Sequence, residues 1–291
     1  MQSANIRGII LMVVSMAGFA IEDVFLKFLS ADVPAAQIMM ITGFGGAIVM
    51  VIAALASGAP IYSSKIWNRH VVIRTLADLI GSIFFVWSLV LLPLTVLSSI
   101  IQAIPLAVTA GAALILKEKV GLRRWSAIFV GFIGVMIIIR PSADGFEIGA
   151  ILALFMVASL TIRDLATRRM KSDLPSLTLS IYAFLAFGAA GIISLGIDTT
   201  LVPLNTKQIL WFGFAILFAT SAYFCIVIST RIGDASVVAP FRYSRLVFAL
   251  ILAMTFLGER LDQITVFGII LVIGSGLYTF WRENKLGAKS V

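Results

Sequence analysis

Ten apolar runs separated by short polar breaks account for nearly the whole chain: residues 6–29, 34–56, 71–92, 95–116, 122–139, 148–166, 177–197, 208–230, 235–257 and 263–282. Most are close to the ~20 residues a helix needs to cross ~30 Å of hydrocarbon. They are too uniformly apolar for barrel strands, and an open sheet leaves its backbone unsatisfied in lipid. The pattern predicts an all-α integral membrane protein with ten transmembrane helices. No long hydrophilic segment remains for an extramembrane domain.

The runs repeat. Residues 8–34 lie over 149–175 at a constant offset of 141, with eight of 27 positions identical. Apolar identities mean little between two greasy helices, but Asp23/Asp164, Asp32/Asp173 and Pro34/Pro175 do not follow from composition. At the same offset Lys27 falls on Arg168, Glu22 on Arg163 and Glu118 on Glu259. The chain reads as a tandem duplication, 1–141 and 142–291, with five helices in each half and the join near Arg140–Glu147. An odd number of helices turns the second copy over. The expected architecture is two inverted five-helix repeats about an axis in the membrane plane, as in alternating-access transporters with a midplane site. Channels and some membrane enzymes are also built from inverted repeats, so the remaining residues must separate these classes.

With 60% hydrophobic and 12% charged residues, the chain departs far from soluble proteins, in which about a quarter of residues are charged. The net charge of +8 invites a nucleic-acid reading, but its placement argues for a topology signal. Fourteen Lys and Arg lie on the side of both termini, against Lys27, Arg140, Lys207 and Arg260 on the other. This bias predicts cytoplasmic termini in a bacterial inner membrane, with anionic lipid as the partner of the basic surface and no nucleic acid. The first run continues past Gly18-Phe19-Ala20 for a full span, which speaks against a cleavable signal peptide. Cys225 is the only cysteine and His70 the only histidine, so no intrachain disulfide or Cys/His metal cluster is expected. There is no Walker motif for ATP, and Gly274-Ser275-Gly276 lacks a catalytic histidine in its half. The expectation is a monomeric non-enzyme without cofactor, handling a small-molecule substrate; a channel or facilitator is the main rival to a carrier.

Both halves end alike. A fourth helix finishes in Leu116-Lys117-Glu118-Lys119-Val120 or Leu257-Gly258-Glu259-Arg260-Leu261, and a helix with Gly131-Phe132-Ile133-Gly134-Val135 or Gly268-Ile269-Ile270-Leu271-Val272 follows. This tandem pattern resembles the EamA-type branch of the drug/metabolite transporter superfamily over essentially the whole chain. The resemblance implies secondary transport of small metabolites, often export. Within the family the chain looks most like exporters of aromatic and other neutral amino acids. The alternative is a channel-like pore or an uptake carrier for another metabolite, such as a nucleoside, S-adenosylmethionine or a drug-like cation. One departure stands out: Pro105 lies 13 residues before Glu118, whereas the equivalent position before Glu259 is Leu246 and the proline comes earlier, at Pro240. This predicts that the two central helices bend at different depths.

Ionisable groups at membrane depth are functional candidates because they are costly to place there. They are Glu22, Asp23, Asp78, Arg163, Asp164, Arg242 and Arg245, with Arg74 nearer the boundary. Asp23 and Lys27, and their equivalents Asp164 and Arg168, are spaced i,i+4 and predict ion pairs, either local helix-end pairs or a gate at each mouth. Glu22 shares a stripe with Ser15 and Gly18 that must face the bundle or water, which makes it a pathway candidate. Arg74 and Asp78 form a third i,i+4 pair, followed on the same face by Ser82 and Phe85; it neutralises itself, or Asp78 meets an ammonium group. Arg245 is too deep to snorkel, so Glu22, Asp78 or a substrate carboxylate is its expected partner.

The fourth run carries Ser98, Gln102, Pro105 and Thr109 as one polar seam through the midplane. Pro105 frees the Ile101 carbonyl, which a cavity or a packed polar seam can satisfy. Trp87, Tyr223 and Tyr243 need partners for their polar atoms near the membrane centre, as packing residues or as the wall of an aromatic site. Gly43-Phe44-Gly45-Gly46 points to close helix packing, since no P-loop lysine follows.

Overall fold

In the computed structural model, which describes residues 2–118, 120–140, 147–170, 174–197, 200–232 and 235–287, the apolar runs are helices and no strand occurs among the described residues. Ten helices are long and apolar enough to cross a membrane. They are α1 (Gln2–Leu29), α2 (Ala35–Ser57), α3 (Arg69–Leu91), α4 (Leu94–Ile115), α5 (Leu122–Ile139), α6 (Ile148–Arg169), α7 (Ser176–Ser194), α8 (Thr206–Ile232), α9 (Ala239–Phe256) and α10 (Gln263–Gly287). Lys119, Asp173 and residues 141–146, which hold parts of the repeat and its join, lie outside the described residues.

Helix packing obeys the repeat. Helix α1 packs on α8 and α9, and its mate α6 packs on α3 and α4. The self-mated pairs α2–α7, α4–α9 and α5–α10 meet each other. The fold is two inverted five-helix repeats around a central α4–α9 pair.

Small residues place these crossings, because lipid supplies no hydrophobic drive to bring two greasy helices together. At the α2–α7 crossing a Cβ added to Gly43 would fall onto the Gly188 backbone. At α5–α10 a Cβ on Gly134 would stand 2.8 Å from the Gly268 carbonyl oxygen, and one on Gly268 2.9 Å from that of Gly134. Two serines tie α1 to α8: Ser15 Oγ donates to the Ala222 carbonyl at 2.7 Å, and Ser229 Oγ to the Gly8 carbonyl at 2.6 Å. The large exposed side chains lie outward, as with Ile48, Ile52 and Leu55 on α2 and Leu210, Phe214 and Leu217 on α8. Their three- and four-residue spacing marks faces that lipid must cover.

An even number of spans puts both ends of the described chain on one face of the bundle, here the near side; the opposite face is the far side. On the far side Asp262 caps α10, accepting from the Ile264 and Thr265 N–H groups at 2.9 Å each, and pairs with Arg140. The Thr265 N–H, and then the Arg140 guanidinium, hold the Asp262 carboxyl well below its ordinary value of 3.8. A depressed folded value stabilises the fold above the unfolded value and loses that effect as pH falls through the folded one. The melting-temperature gap between wild type and Asp262→Asn in detergent is therefore expected to stay constant from about pH 7 to about pH 5 and to shrink below about pH 4. A gap that widens on acidification would contradict the cap.

Candidate functional site

Both central helices break where they meet. Helix α4 is α-helical over Leu94–Ile101, turns at Gln102 and Ala103, and resumes at Ile104–Ile115 with Pro105 in its first turn. Helix α9 begins as a 3-10 segment, Ala239–Tyr243, and becomes α-helical at Ser244–Phe256. Gln102 Nε2 donates to the Tyr243 carbonyl at 3.2 Å. These residues are 141 apart, so the bond joins repeat mates on the pseudo-axis. The expectation of bends at different depths is corrected: the breaks coincide. Pro105 lacks the N–H that would continue α4, and Pro240 opens the tightened segment that ends at the same level of α9.

The two ends of this central pair differ. The far-side halves, Leu94–Ile101 and Ser244–Phe256, pack together through a core that includes Leu97, Ile100, Leu246 and Ala253. Among the described residues the near-side halves share no comparable interface. Polar contacts also hold the far-side helix ends. Lys27 Nζ donates to the Leu89 and Leu92 carbonyls at 2.6 and 2.8 Å, satisfying the C-terminus of α3. Glu259 accepts from the Leu94 and Thr95 N–H groups at 2.6 and 2.8 Å, satisfying the N-terminus of α4. Cation on exposed carbonyls and anion on exposed N–H groups is what the end dipoles favour. The α3–α4 turn is clamped from both sides.

The turn that carries Glu259 has a mate on the near side, and the α8–α9 connection that this mate faces includes residues 233 and 234, which lie outside the described residues. Gly258 at φ +67 and Lys117 at φ +58 make the same left-handed turn, and the Glu259 and Glu118 N–H groups reach back to Ala253 and Ala112 at 3.2 Å each. On the near side, however, the Glu118 carboxylate stands 3.9 Å from Arg168, with the side chains 49% and 46% exposed.

The i,i+4 pairs expected within α1, α6 and α3 do not form. Asp23, 1% exposed, is held by Arg245 through Nη2 bonds of 2.9 Å to both carboxylate oxygens and a 3.3 Å bond from Nε. Thus neither Glu22 nor Asp78 is the Arg245 partner. The guanidinium also lies 5.3 Å from the Phe19 ring, and Glu22 is within its field. Arg163 bridges Asp164 at 2.9 Å and Asp78 on α3 at 3.1 Å. Arg242 lies in the field of Asp164 and Arg163 on the near side. Each inward face offers a carboxylate or guanidinium on a neighbouring helix, with less water and better geometry than the exposed route along one's own helix.

The other candidates divide. Ser82 Oγ donates to the Asp78 carbonyl at 2.7 Å, and Arg74 Nη2 donates to the Tyr223 hydroxyl at 3.4 Å. The Tyr223 ring is tilted against Phe184, with centroids 5.8 Å apart. In the seam, Ser98 and Gln102 are buried, on the far side of and at the break in α4, whereas Pro105 is exposed and Thr109 half-buried in the near-side half. Trp87 stands apart from it, packed with Met39, Ala190 and Phe187 between α2, α3 and α7. Sequence reasoning missed the capping role of Lys27 and Glu259; an acidic residue just after a left-handed turn, facing a Pro-led helix start, was the available signal.

Comparison with known proteins agrees with this architecture. Residues 6–140 and 147–281 each match the model of the EamA-like transporter family. The S-adenosylmethionine uptake transporter of Rickettsia prowazekii is 24% identical over 96% of this chain and 94% of its own length. The riboflavin transporter of Vibrio cholerae is 28% identical over 73% of this chain and 72% of its own. A solved crystal structure shares the fold at a TM-score of 0.65, covering 98% of this chain and 99% of that one at 16% identity.

Proposed function

The chain belongs to the EamA-like transporter family and is a multi-pass membrane transporter; from that premise we propose that it is a secondary carrier seen open toward the side of its termini. The far-side halves of α4 and α9, packed together behind the clamped α3–α4 turn, carry this reading. The basic surplus on the terminal side supports a cytoplasmic location for that side, which makes the bacterial inner-membrane carrier inward-facing in this reading. The halves 1–141 and 142–291 exchange roles during the cycle: Arg168 and Glu118 engage the α8–α9 connection as Lys27 and Glu259 release the α3–α4 turn. In a Cys225→Ala background, Thr109→Cys is expected to react with an impermeant thiol reagent in inside-out vesicles and Ser98→Cys to stay inert. Thr109→Cys reacting only in right-side-out vesicles would reverse the orientation.

The substrate reading is uptake of S-adenosylmethionine or a similar amino-acid headgroup joined to an aromatic base. It is supported by the near full-length similarity to S-adenosylmethionine uptake transporters. The site also offers both signs of charge, in Asp78, Asp164 and Arg242, with the Tyr223 and Phe184 rings on the same bundle. Export of aromatic and other neutral amino acids, the narrower resemblance of the sequence, is the second reading; it shares the headgroup but has no counterpart among these relatives. Vesicles preloaded with unlabelled solute distinguish them. Saturable, trans-accelerated uptake of labelled S-adenosylmethionine is expected. Counterflow of phenylalanine alone would favour the second reading, and linear flux would favour a pore.

A further inference from the structure

Arg74 is a buried cation that the fold leaves short of partners. The residue is 6% exposed, and Nε and Nη1 find no hydrogen-bond partner among the described residues. A guanidinium presents five N–H donors, and here one long bond to Tyr223 is all that meets them. The carboxylate that should serve it, Asp78 one turn along α3, is taken by Arg163. Tyr223 lies on α8, the repeat mate of α3, and those two helices do not pack on each other. Arg74 therefore reaches across the space between the halves, from the near-side half of α3. A buried, unpaired guanidinium in lipid surroundings is unfavourable unless an anion joins it during the working cycle.

We propose that Arg74 and Tyr223 form the anion anchor of the transport site and take the carboxylate of the carried solute. This rests on the carrier reading above. Free N–H groups on Arg74 donate to the carboxylate oxygens, and the Tyr223 hydroxyl keeps the guanidinium turned toward the centre. The Phe184–Tyr223 ring pair beside them gives an aromatic part of the solute an apolar wall. In the Arg163–Asp78–Asp164 cluster one guanidinium meets two carboxylates and orients α3 against α6, so the cluster offers no further cation to a solute carboxylate.

The test uses the full-length protein in detergent, with wild type, Arg74→Gln and Tyr223→Phe melted alone and with matched probes. The probes are S-adenosylmethionine with its decarboxylated form, phenylalanine with phenethylamine, and acetate. Without ligand, Arg74→Gln is expected to melt no lower than wild type, because it loses an unpaired charge and not a structural pair. In wild type the carboxylate member of a pair should bind at least about tenfold more tightly than its amine, and Arg74→Gln should erase that preference while leaving the amine's affinity unchanged. Tyr223→Phe should weaken the preference without abolishing it. Acetate should raise the melting point of wild type alone. If neither organic pair binds, the substrate assignment falls, and acetate with the ligand-free melts still judges the anchor. A large loss of ligand-free stability in Arg74→Gln, or equal acetate shifts in both proteins, would overturn it.

Discussion

Combining Lys27→Met with Glu259→Gln is expected to open the far side of the bundle and shift the protein away from the far-side-closed arrangement of this structure. Glu259→Gln keeps the size of the side chain and removes its charge, and Lys27→Met keeps the apolar stem and removes the ammonium that donates to the end of α3. Hydrogen bonds to charged groups contribute about 1.5–3 kcal/mol. Losing even one moves the equilibrium by about one to two decades. Ala253→Cys, at a position with no exposed surface in the far-side α4–α9 contact, reports the change. Its reaction with an impermeant thiol reagent from the far side should accelerate at least about tenfold. Glu118→Gln with Arg168→Met should do the opposite, and all four changes together should return the rate toward wild type. Such compensation distinguishes a pair of opposed clamps from four residues that merely stabilise helix ends. An unchanged Ala253→Cys rate in the Lys27/Glu259 variant would remove the clamp from the mechanism.

The architecture was legible because its signals are one-dimensional. Span length and the 141-residue offset require no knowledge of which helix meets which. The offset carried further than its use in counting helices: it pairs Gln102 with Tyr243, the contact at the centre of the molecule. The prolines misled about bend depth because a helix break depends on the segment that a proline opens, and Pro240 opens a 3-10 stretch reaching three residues further. Charge pairing was read worst. The i,i+4 rule describes an isolated helix in water, where a neighbour on the same face is the only partner available. In a bundle, Asp23 meets Arg245 and Asp78 meets Arg163, contacts between residues 222 and 85 positions apart. Lys27 needed backbone carbonyls as a partner, and no side-chain pattern displays those.

Arg245→Ala is expected to destabilise the protein by about 3–5 kcal/mol, because it strands the Asp23 carboxylate, 1% exposed, away from water. Arg245→Lys should recover part of this loss, since an ammonium cannot reproduce the fork that engages both carboxylate oxygens. The informative variant is Asp23→Leu with Arg245→Met. Apolar replacement of a buried ion pair is often neutral or stabilising by about 1–4 kcal/mol, so its melting temperature should return to that of wild type or exceed it. Transport should nevertheless stay lost. The pair ties α1 to the far-side half of α9, the contact that must part when the far side opens. Separated charges are rehydrated by the water that enters, which offsets the broken attraction; separated leucine and methionine are not, and that water penalises them at about 25 cal/mol per Å² exposed. The ion pair is thus kept because it can be undone cheaply, and the apolar pair would fix the carrier in one conformation. A double variant that is both stable and fully active would reduce Asp23 and Arg245 to structural residues.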